Sequence, residues 1–227
     1  MCEHGQKSLA VTDDAGCLIG LATLSDITRN YLDTGDEYLL ARGQTPFQNI
    51  VDTLDARILT GCAESRTVKG RVLIAAQHHT RLKHLVEPDD IVIAGIQQNI
   101  HEAIYNGAAM IIGTCGMAFE VSDIDLARQY DCVLISTEYD TFSTAMLVRQ
   151  SIPVGHVMTT DNLSTVDINE LKDDVKERMI KTRFRSYPVI DDNRKVIGMI
   201  SRYHLLSKAR KQVILVDHNE KSQTATG

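Results

Sequence analysis

The chain has 227 residues, of which 43% are hydrophobic, and its formal net charge is −6. This length allows two or three small domains, and the composition excludes a low-complexity chain, a membrane-spanning run of roughly 20 apolar residues, and an N-terminal signal peptide. Its five cysteines form no CxxC pair, which favours free thiols in a reducing cytoplasm over a disulfide-bonded secreted fold.

The charge is distributed unevenly along the chain. Between Lys176 and Lys211 there are 11 Lys and Arg residues and 3 acidic residues, so this segment carries +8 and the remainder −14. Several of these cations stand beside the start of a predicted helix, which indicates a site for a phosphate-bearing ligand. A solvated helix face is the alternative interpretation of this bias.

A strand–turn–strand unit opens the chain at residues 5–27 and recurs without a gap 178 positions later, within residues 183–206. In each copy two short apolar runs flank an Asp-Asp turn, and a hydroxyl residue follows the second run at the start of a helix. The identical pairs include Ser8 and Ser186, Val11 and Val189, Asp13 and Asp191, Asp14 and Asp192, and Gly20 and Gly198. An internal repeat of this kind determines the architecture.

The first copy is shorter at its start than the second. The second copy has about thirty residues of its own before Arg185, with a predicted strand at residues 164–168 and a helix at about 170–182, whereas only six residues precede Lys7 in the first copy. We therefore expect the chain to begin inside a domain. A naturally short half-domain is the alternative, and it would leave the apolar sheet face at residues 18–22 exposed.

The middle of the chain alternates strands and helices. A connector helix is expected first, with Thr45 as its cap and Pro46 at its first position. Strands are then predicted at residues 71–76, 90–95, 109–114 and 132–136, with helices at 98–105, 122–130 and 141–150. This alternation predicts a small parallel sheet with covered faces. After Lys211 the sequence predicts an edge strand without a partner in the chain.

In the first copy, a candidate site lies where the second strand leads into a helix. Thr23 offers a hydroxyl beside the free N–H groups of the helix start, which suits an anion. Asp26 lies one turn further on the same side, where its carboxylate can accept both hydroxyls of a ribose. The motif alone favours a second interpretation, a capping box in which Asp26 bonds back to the helix start.

The second copy keeps the hydroxyl as Ser201, but His204 replaces the carboxylate, and Arg202 is added. Arg185 and Tyr187 flank the preceding strand, and a pair of forked guanidinium groups suits a polyphosphate. Tyr187 either stacks on a base or packs in the core, and packing is the commoner fate of a single Tyr. A cluster of three histidines, His78, His79 and His84, has no acidic or thiol partner at metal-ligand spacing and predicts no metal site.

The repeated pattern Gly-hydrophobic-hydrophobic-Thr/Ser-x-x-Asp resembles the CBS domain, which works in pairs and binds adenine nucleotides. The stretches IVIAG, IIGTCG and ISTEYDTFSTA, at residues 91–95, 111–116 and 135–145, resemble the DRTGG domain. The chain departs from that pattern at Ile96, Gln97 and Cys115. The order of the parts, ending in VILVDHNEKSQ, is similar to the regulatory region of family II, manganese-dependent inorganic pyrophosphatases.

This resemblance implies an α/β fold in which paired CBS domains of α+β type, the first one truncated, flank a small α/β DRTGG-like domain. The expected boundaries are 1–44 for the first CBS domain, 45–65 for a connector, 66–152 for the DRTGG-like domain, 153–211 for the second CBS domain, and 212–227 for the return to a DHH-type catalytic domain.

The resemblance also implies a regulatory function. AMP or ADP would inhibit a parent hydrolase, ATP or diadenosine polyphosphates would activate it, and the subunits would form a homodimer through the CBS and DRTGG-like domains. Carried over by position, the nucleotide-binding residues are Lys7, Arg185 and Arg202 for phosphate, Thr23 and Ser201 for the hydroxyl positions, Asp26 for ribose, Tyr187 for the base side, and Val157, Met158 and Thr159 for adenine.

We expect the chain alone not to hydrolyse pyrophosphate. Asp217 would match a metal-binding aspartate of the parent enzyme, which uses Mn²⁺ or Mg²⁺, but one aspartate does not make a two-metal site. Two other functions stay open: a nucleic-acid-binding module built on the basic stretch 176–211, and a purely structural dimerisation region without a nucleotide site. Low aromatic content, overall acidity and the lack of a nucleic-acid-binding motif disfavour the former, and neither nucleic acid nor a membrane is an expected partner.

Overall fold

The computed structural model describes residues 7–32, 36–75, 85–96, 100–182, 185–202, 205, 214–215 and 223–224, with side chains except at residues 29–32, 214–215 and 223–224. The predicted histidine cluster at His78, His79 and His84 lies outside these residues, as do His204 and Asp217. The chain divides into two compact units, Met1–Leu21 with Thr160–Gly227, and Ala22–Thr159. Within the described ranges no helix combines the length and apolar character needed to cross a bilayer.

A five-stranded sheet forms the centre of the unit at residues 22–159. Its strands are β3 (Arg57–Thr60), β4 (Val72–Ala75), β5 (Ile91–Ala94), β6 (Met110–Gly113) and β7 (Val133–Ser136), in the order β3-β7-β6-β5-β4. Strands β4 to β7 run parallel, and β3 is antiparallel to β7 at the edge. All residues of β5, β6 and β7 are buried, as expected for parallel strands covered on both faces.

The unit contains the helices α1 (Leu24–Leu32), α2 (Leu39–Arg42), α3 (Phe47–Thr53), α4 (Ile100–Tyr105), α5 (Val121–Gln129) and α6 (Thr141–Val148). Helices cover both faces of the sheet. Alternate strand residues, among them Ile93 and Ile112, pack in one core with α3 and the end of α6. The intervening residues, among them Ile111, pack in a second core with α4 and α5. The predicted alternation and parallel sheet are confirmed.

The start of α3 differs from the prediction. Pro46 occupies the cap position with an extended backbone, and no side chain caps the helix, which begins at Phe47. Thr45 therefore stands one residue too early for its hydroxyl to reach the first N–H groups, and its side chain is fully buried instead. The segment predicted as a connector contributes Phe47, Ile50 and Leu54 to the core of the sheet.

The other unit contains a three-stranded sheet made of β8 (Val166–Asp167), β9 (Ser186–Ile190) and β10 (Val196–Ser201). Helix α7 (Lys172–Lys181) packs on it, and the shared core consists of Val166, Val175, Met179, Tyr187 and Leu205. Ser201 ends β10 opposite Ser186, with Arg202 as the first helical residue. The tail pairs as β11 (Ile214–Leu215) with β12 (Gln223–Thr224), so the prediction of an unpartnered strand is wrong.

The two copies of the repeat meet through equivalent positions. The first copy forms β1 (Ser8–Thr12) and β2 (Leu18–Thr23), which make a two-stranded sheet. Cys17 forms an antiparallel bridge with Lys195, the residue 178 positions later, and Val196 donates its N–H to the carbonyl of Gly16 at 2.9 Å. An antiparallel pair of equivalent residues is what a local two-fold axis produces. The repeat is therefore a structural symmetry as well as a sequence one.

Candidate functional site

The first copy holds its hydroxyl and its carboxylate in direct contact. The Thr23 hydroxyl donates to Asp26 Oδ2 at 2.6 Å, the Thr23 N–H donates to the same oxygen at 3.1 Å, and the Asp26 N–H donates to the Thr23 hydroxyl at 3.2 Å. This is the capping box that the motif favoured. A carboxylate offers about four acceptor positions, so the cap and a ribose contact are chemically compatible.

A cavity of about 500 Å³ lies beside the helix that this cap begins. It is lined by Ile27, Thr28, Arg149, Gln150, Ile152, Val154 and Val157. The first two follow Asp26 on α1, and Val157 belongs to the segment that the resemblance assigns to adenine. A mostly apolar cavity of this size is typical of small-molecule sites.

A short 3₁₀ helix, Val154–His156, shapes the predicted adenine segment. The N–H groups of Val157 and Met158 both donate to the carbonyl of Val154, at 3.0 and 2.9 Å. Thr159 follows with an exposed side chain. The segment is thus folded back on itself where it borders the cavity.

Sequence reasoning missed Arg149. It follows α6 as the first residue of a 3₁₀ turn, Arg149–Ser151, and its Nη1 donates to the carbonyl of Asp36 at 3.5 Å. No motif contains it, and its place in the cavity depends on how the end of α6 packs. The one sequence feature that could have indicated a role for Arg149 is its position, eight residues before Val157.

Arg202 in the second copy forms hydrogen bonds with the C-terminal end of α7. Its Nη2 donates to the carbonyl of Met179 at 2.6 Å and to that of Thr182 at 3.3 Å. These carbonyls end the helix, and a cation there complements the helix dipole. Its backbone N–H donates to the carbonyl of Arg185, whose own side chain is exposed.

Tyr187 is completely buried in the core of the second copy. Its hydroxyl forms a hydrogen bond with that of Thr182, and the Arg178 guanidinium lies 5.8 Å from its ring centroid. Arg178 is held by both carboxylate oxygens of Glu170, at 2.6 and 2.7 Å. Tyr187 therefore packs in the core, which is the second of the two alternatives that the sequence left open.

The predicted nucleotide-binding residues fall into two groups. Thr23, Asp26 and residues 157–159 belong to the unit at 22–159, where Val157 lines the cavity. Lys7, Arg185, Tyr187, Ser201 and Arg202 belong to the other unit, and the structure brings Tyr187 and Arg202 together at Thr182. Lys7 is exposed.

In the sheet unit, the pKa values of Asp140 and Cys132 are among those shifted from their usual values. Hydrogen bonds from the Ser143 hydroxyl and N–H hold the pKa of Asp140, the cap of α6, below its usual value. Burial raises the pKa of the Cys132 thiol to about 12, so it stays protonated and unreactive. Among the residues that the structure describes, no three or more His, Cys, Asp or Glu side chains form a group that could hold a metal ion.

Known families match most of this chain. The DRTGG domain family matches residues 49–151, and the CBS domain family matches residues 154–211. The fold matches the crystal structure of the CBS and DRTGG domains of the regulatory region of Clostridium perfringens pyrophosphatase, complexed with its activator, diadenosine tetraphosphate. The TM-score is 0.82 with 37% sequence identity, over 89% of this chain and 88% of that one.

The chain is also similar in sequence to part of two longer proteins that are named as inorganic pyrophosphatases. The chain is 40% identical over 228 residues to a cobalt-dependent inorganic pyrophosphatase of Clostridium perfringens, which covers all of this chain and 42% of that enzyme. It is 31% identical over 211 residues to a probable manganese-dependent inorganic pyrophosphatase of Thermotoga maritima, which covers 92% of this chain and 38% of the relative. The chain therefore spans about two fifths of the length of the curated relatives it matches.

Proposed function

Because the chain belongs to the family of CBS–DRTGG regulatory regions of inorganic pyrophosphatases, we propose that it binds adenine nucleotides and through them controls the hydrolase of a longer protein. AMP, ADP, ATP and diadenosine polyphosphates are the candidate ligands. The regulatory region of the C. perfringens relative binds diadenosine tetraphosphate as its activator, which supports this class of ligand.

One observation carries the proposal. The cavity of about 500 Å³ is lined both by Val157, from the proposed adenine segment, and by Ile27, the residue that follows the proposed ribose carboxylate of Asp26. Apolar side chains favour the faces of a purine, and a carboxylate favours the two hydroxyls of a ribose. That one cavity is lined by both segments supports the proposal, because 130 positions separate Ile27 from Val157 in the sequence.

The proposed phosphate contacts are Lys7, Arg185 and Arg202, with Thr23 and Ser201 at the hydroxyl positions. Arg202 is bonded to the end of α7 in the structure, so binding a phosphate through it requires an exchange of partners. Ligand binding would then be coupled to the C-terminal turn of α7, and a coupling between site and helix is what regulation needs.

Family membership also supports proposals about the oligomeric state, the partners and the cellular compartment of the chain. We propose a homodimer formed through the CBS and DRTGG-like domains, with the domain boundaries inferred from the sequence, and no nucleic-acid partner. The four described cysteines, Cys17, Cys62, Cys115 and Cys132, are free thiols, which supports a reducing cytoplasm. Pyrophosphate hydrolysis and its Mn²⁺, Mg²⁺ or Co²⁺ belong to the rest of the longer protein.

Calorimetric titration with AMP and with diadenosine tetraphosphate, each at two salt concentrations, tests the proposal. We expect saturable binding that weakens as salt rises, because phosphates bound among cations are screened. Bound nucleotide should also raise the melting temperature, since a ligand at 100 times its Kd adds about 2.7 kcal/mol to the free energy of unfolding. Absent heats together with an unchanged melting temperature would contradict nucleotide binding and favour the structural dimerisation function.

A further inference from the structure

We infer that Arg149 is the residue with which the cavity distinguishes phosphorylated adenosine from adenosine. The inference rests on the proposed nucleotide binding, and it adds to the proposed phosphate contacts Lys7, Arg185 and Arg202 one residue that lies outside the repeat and outside the predicted site. Among the cavity-lining residues that the structure describes, Arg149 is the only one with an ionised side chain.

The remaining wall of the cavity suits the base. Ile27, Ile152, Val154 and Val157 are apolar, and Ile27 and Val154 are 43% and 45% exposed. A planar ring placed against them would remove this apolar surface from water. The apolar wall can therefore bind the adenine base without the help of a charged side chain.

The phosphate needs a cation at a distance from Asp26. The carboxylate of Asp26 stands at the start of α1, directly before the lining residues Ile27 and Thr28, and it repels an anionic group. A ligand whose ribose faces Asp26 must direct its phosphate to another part of the wall. Arg149 comes from the far end of α6, a different element, and a guanidinium matches phosphate geometry with two parallel hydrogen bonds.

Arg149 has a long hydrogen bond to the backbone at Asp36. Its Nη1 donates to the carbonyl of Asp36, while the carboxylate of Asp36 forms an ion pair with Arg42. A guanidinium has five N–H donors, so the bond to this carbonyl is compatible with a phosphate contact. An arginine that is positioned before the ligand arrives loses less conformational entropy on binding.

The test compares the affinities of AMP and adenosine for the whole chain and for Arg149→Met, which keeps the length of the side chain and removes its charge. We expect Arg149→Met to weaken AMP binding by roughly 10- to 100-fold, the value of a charged hydrogen bond, and to leave adenosine binding within about twofold. Arg128→Met is the matched control, because Arg128 lies on α5, away from the residues that line the cavity, and is 63% exposed.

Each outcome has one meaning. Equal losses for AMP and adenosine would mean that Arg149 only shapes the cavity, and an unchanged ratio would mean that it takes no part; both overturn the inference while nucleotide binding stands. Binding of neither ligand to the unaltered chain would overturn the proposed function as well. If Arg149→Met fails to fold, Arg149→Lys decides: we expect it to lose AMP affinity several-fold, because it keeps the charge without the fork, and to keep adenosine affinity.

Discussion

The two copies of the repeat share their turn and differ in what surrounds it. In the first copy Asp13 Oδ1 accepts the N–H groups of Ala15 and Cys17, at 3.0 and 2.8 Å. In the second copy Asp191 Oδ1 accepts those of Asn193 and Lys195, each 178 positions later, both at 2.9 Å. A local sequence therefore produces the same local structure twice.

Equivalent positions further from the turn have different environments. Tyr187 is completely buried under α7, in contact with the core that includes Val175 and Met179. Its equivalent, Leu9, is 44% exposed, and no helix covers it among the residues that the structure describes. The comparison teaches that the repeat encodes a strand–turn–strand unit, while stability and binding depend on the elements packed against each copy.

We expect the largest effect on stability from truncating the two equivalent side chains Tyr187 and Leu9, because their burial differs most clearly. We expect Tyr187→Ala to lower the free energy of unfolding by about 3–5 kcal/mol, because it empties a fully buried site. Leu9→Ala should cost about 1 kcal/mol or less, because nearly half of that side chain is already in water. Urea denaturation measures both, and Tyr187→Phe separates ring packing from the hydroxyl bond to Thr182. Similar losses at positions 9 and 187 would contradict the difference between the copies.

The two copies have different side chains in the first turn of the helix that follows the hairpin, and substitution of Asp26 tests whether this difference matters for binding. The first copy has a carboxylate at this position, whereas the second has His204. We expect Asp26→Asn to weaken AMP binding by roughly 10- to 100-fold, because the amide replaces a charged acceptor of the ribose hydroxyls. Calorimetry measures the loss.

A matched control for Asp26 is present in the same unit. Asp123 occupies the same position in the capping box at the start of α5, where its carboxylate accepts the N–H of Glu120 at 2.8 Å. Asp123→Asn should change stability without changing AMP affinity. Equal effects of the two substitutions on AMP binding would mean that Asp26 acts only as a cap.

The first residue of the following helix also differs between the copies. Arg202 donates to the carbonyls that end α7, and its equivalent in the first copy is Leu24, which is 42% exposed. We expect Arg202→Met to cost about 1–2 kcal/mol and to speed hydrogen exchange of the amides in the last turn of α7. Leu24→Met should change neither quantity.

Nucleotide should reproduce the effect of this substitution. If phosphate takes Arg202 from the helix, saturating AMP will speed exchange in the last turn of α7 of the unaltered chain. Unchanged or slower exchange there, in the presence of measurable AMP binding, would limit Arg202 to a structural role.

The fold was predictable where the signal is local. Apolar runs such as IVIAG and CVLIS marked the parallel strands, and the repeat marked the two hairpins that meet at Cys17 and Lys195. The resemblance to CBS and DRTGG domains is confirmed over most of the chain. The cap of α3 was mispredicted because Pro46 itself takes the cap position, which a pattern of Thr followed by Pro does not exclude.

The site was only partly predictable because its geometry is tertiary. Thr23 and Asp26 are three residues apart, so one helical turn is enough to bring them together. Arg149 reaches the cavity through the packing of α6, and Arg202 reaches α7 through the pairing of β10 with β9. Neither contact has a spacing that sequence patterns can show.

The smallest expected effect concerns the shared turn, in which Gly16 and Arg194 are equivalent. Both have positive φ, +84° and +64°, and the N–H of each donates to its turn aspartate carbonyl at 2.9 Å. Glycine adopts this conformation without strain, whereas a side chain there costs about 1 kcal/mol. We therefore expect Arg194→Gly to raise the free energy of unfolding by roughly 0.5–1 kcal/mol and Gly16→Ala to lower it by about the same amount.

The opposite signs follow from backbone conformation alone, because the nearest neighbour of a Cβ added at Gly16 is a methylene of Lys195 at 3.9 Å, an ordinary contact. Urea denaturation of the two variants measures both changes. Arg194→Lys is the control, since it keeps a cation and a Cβ in the left-handed region and should leave stability unchanged. A loss of stability on Arg194→Gly as large as that on Gly16→Ala would mean that the Arg194 side chain stabilises the second copy by more than its backbone strain costs, and that the two turns are alike in shape but not in energy.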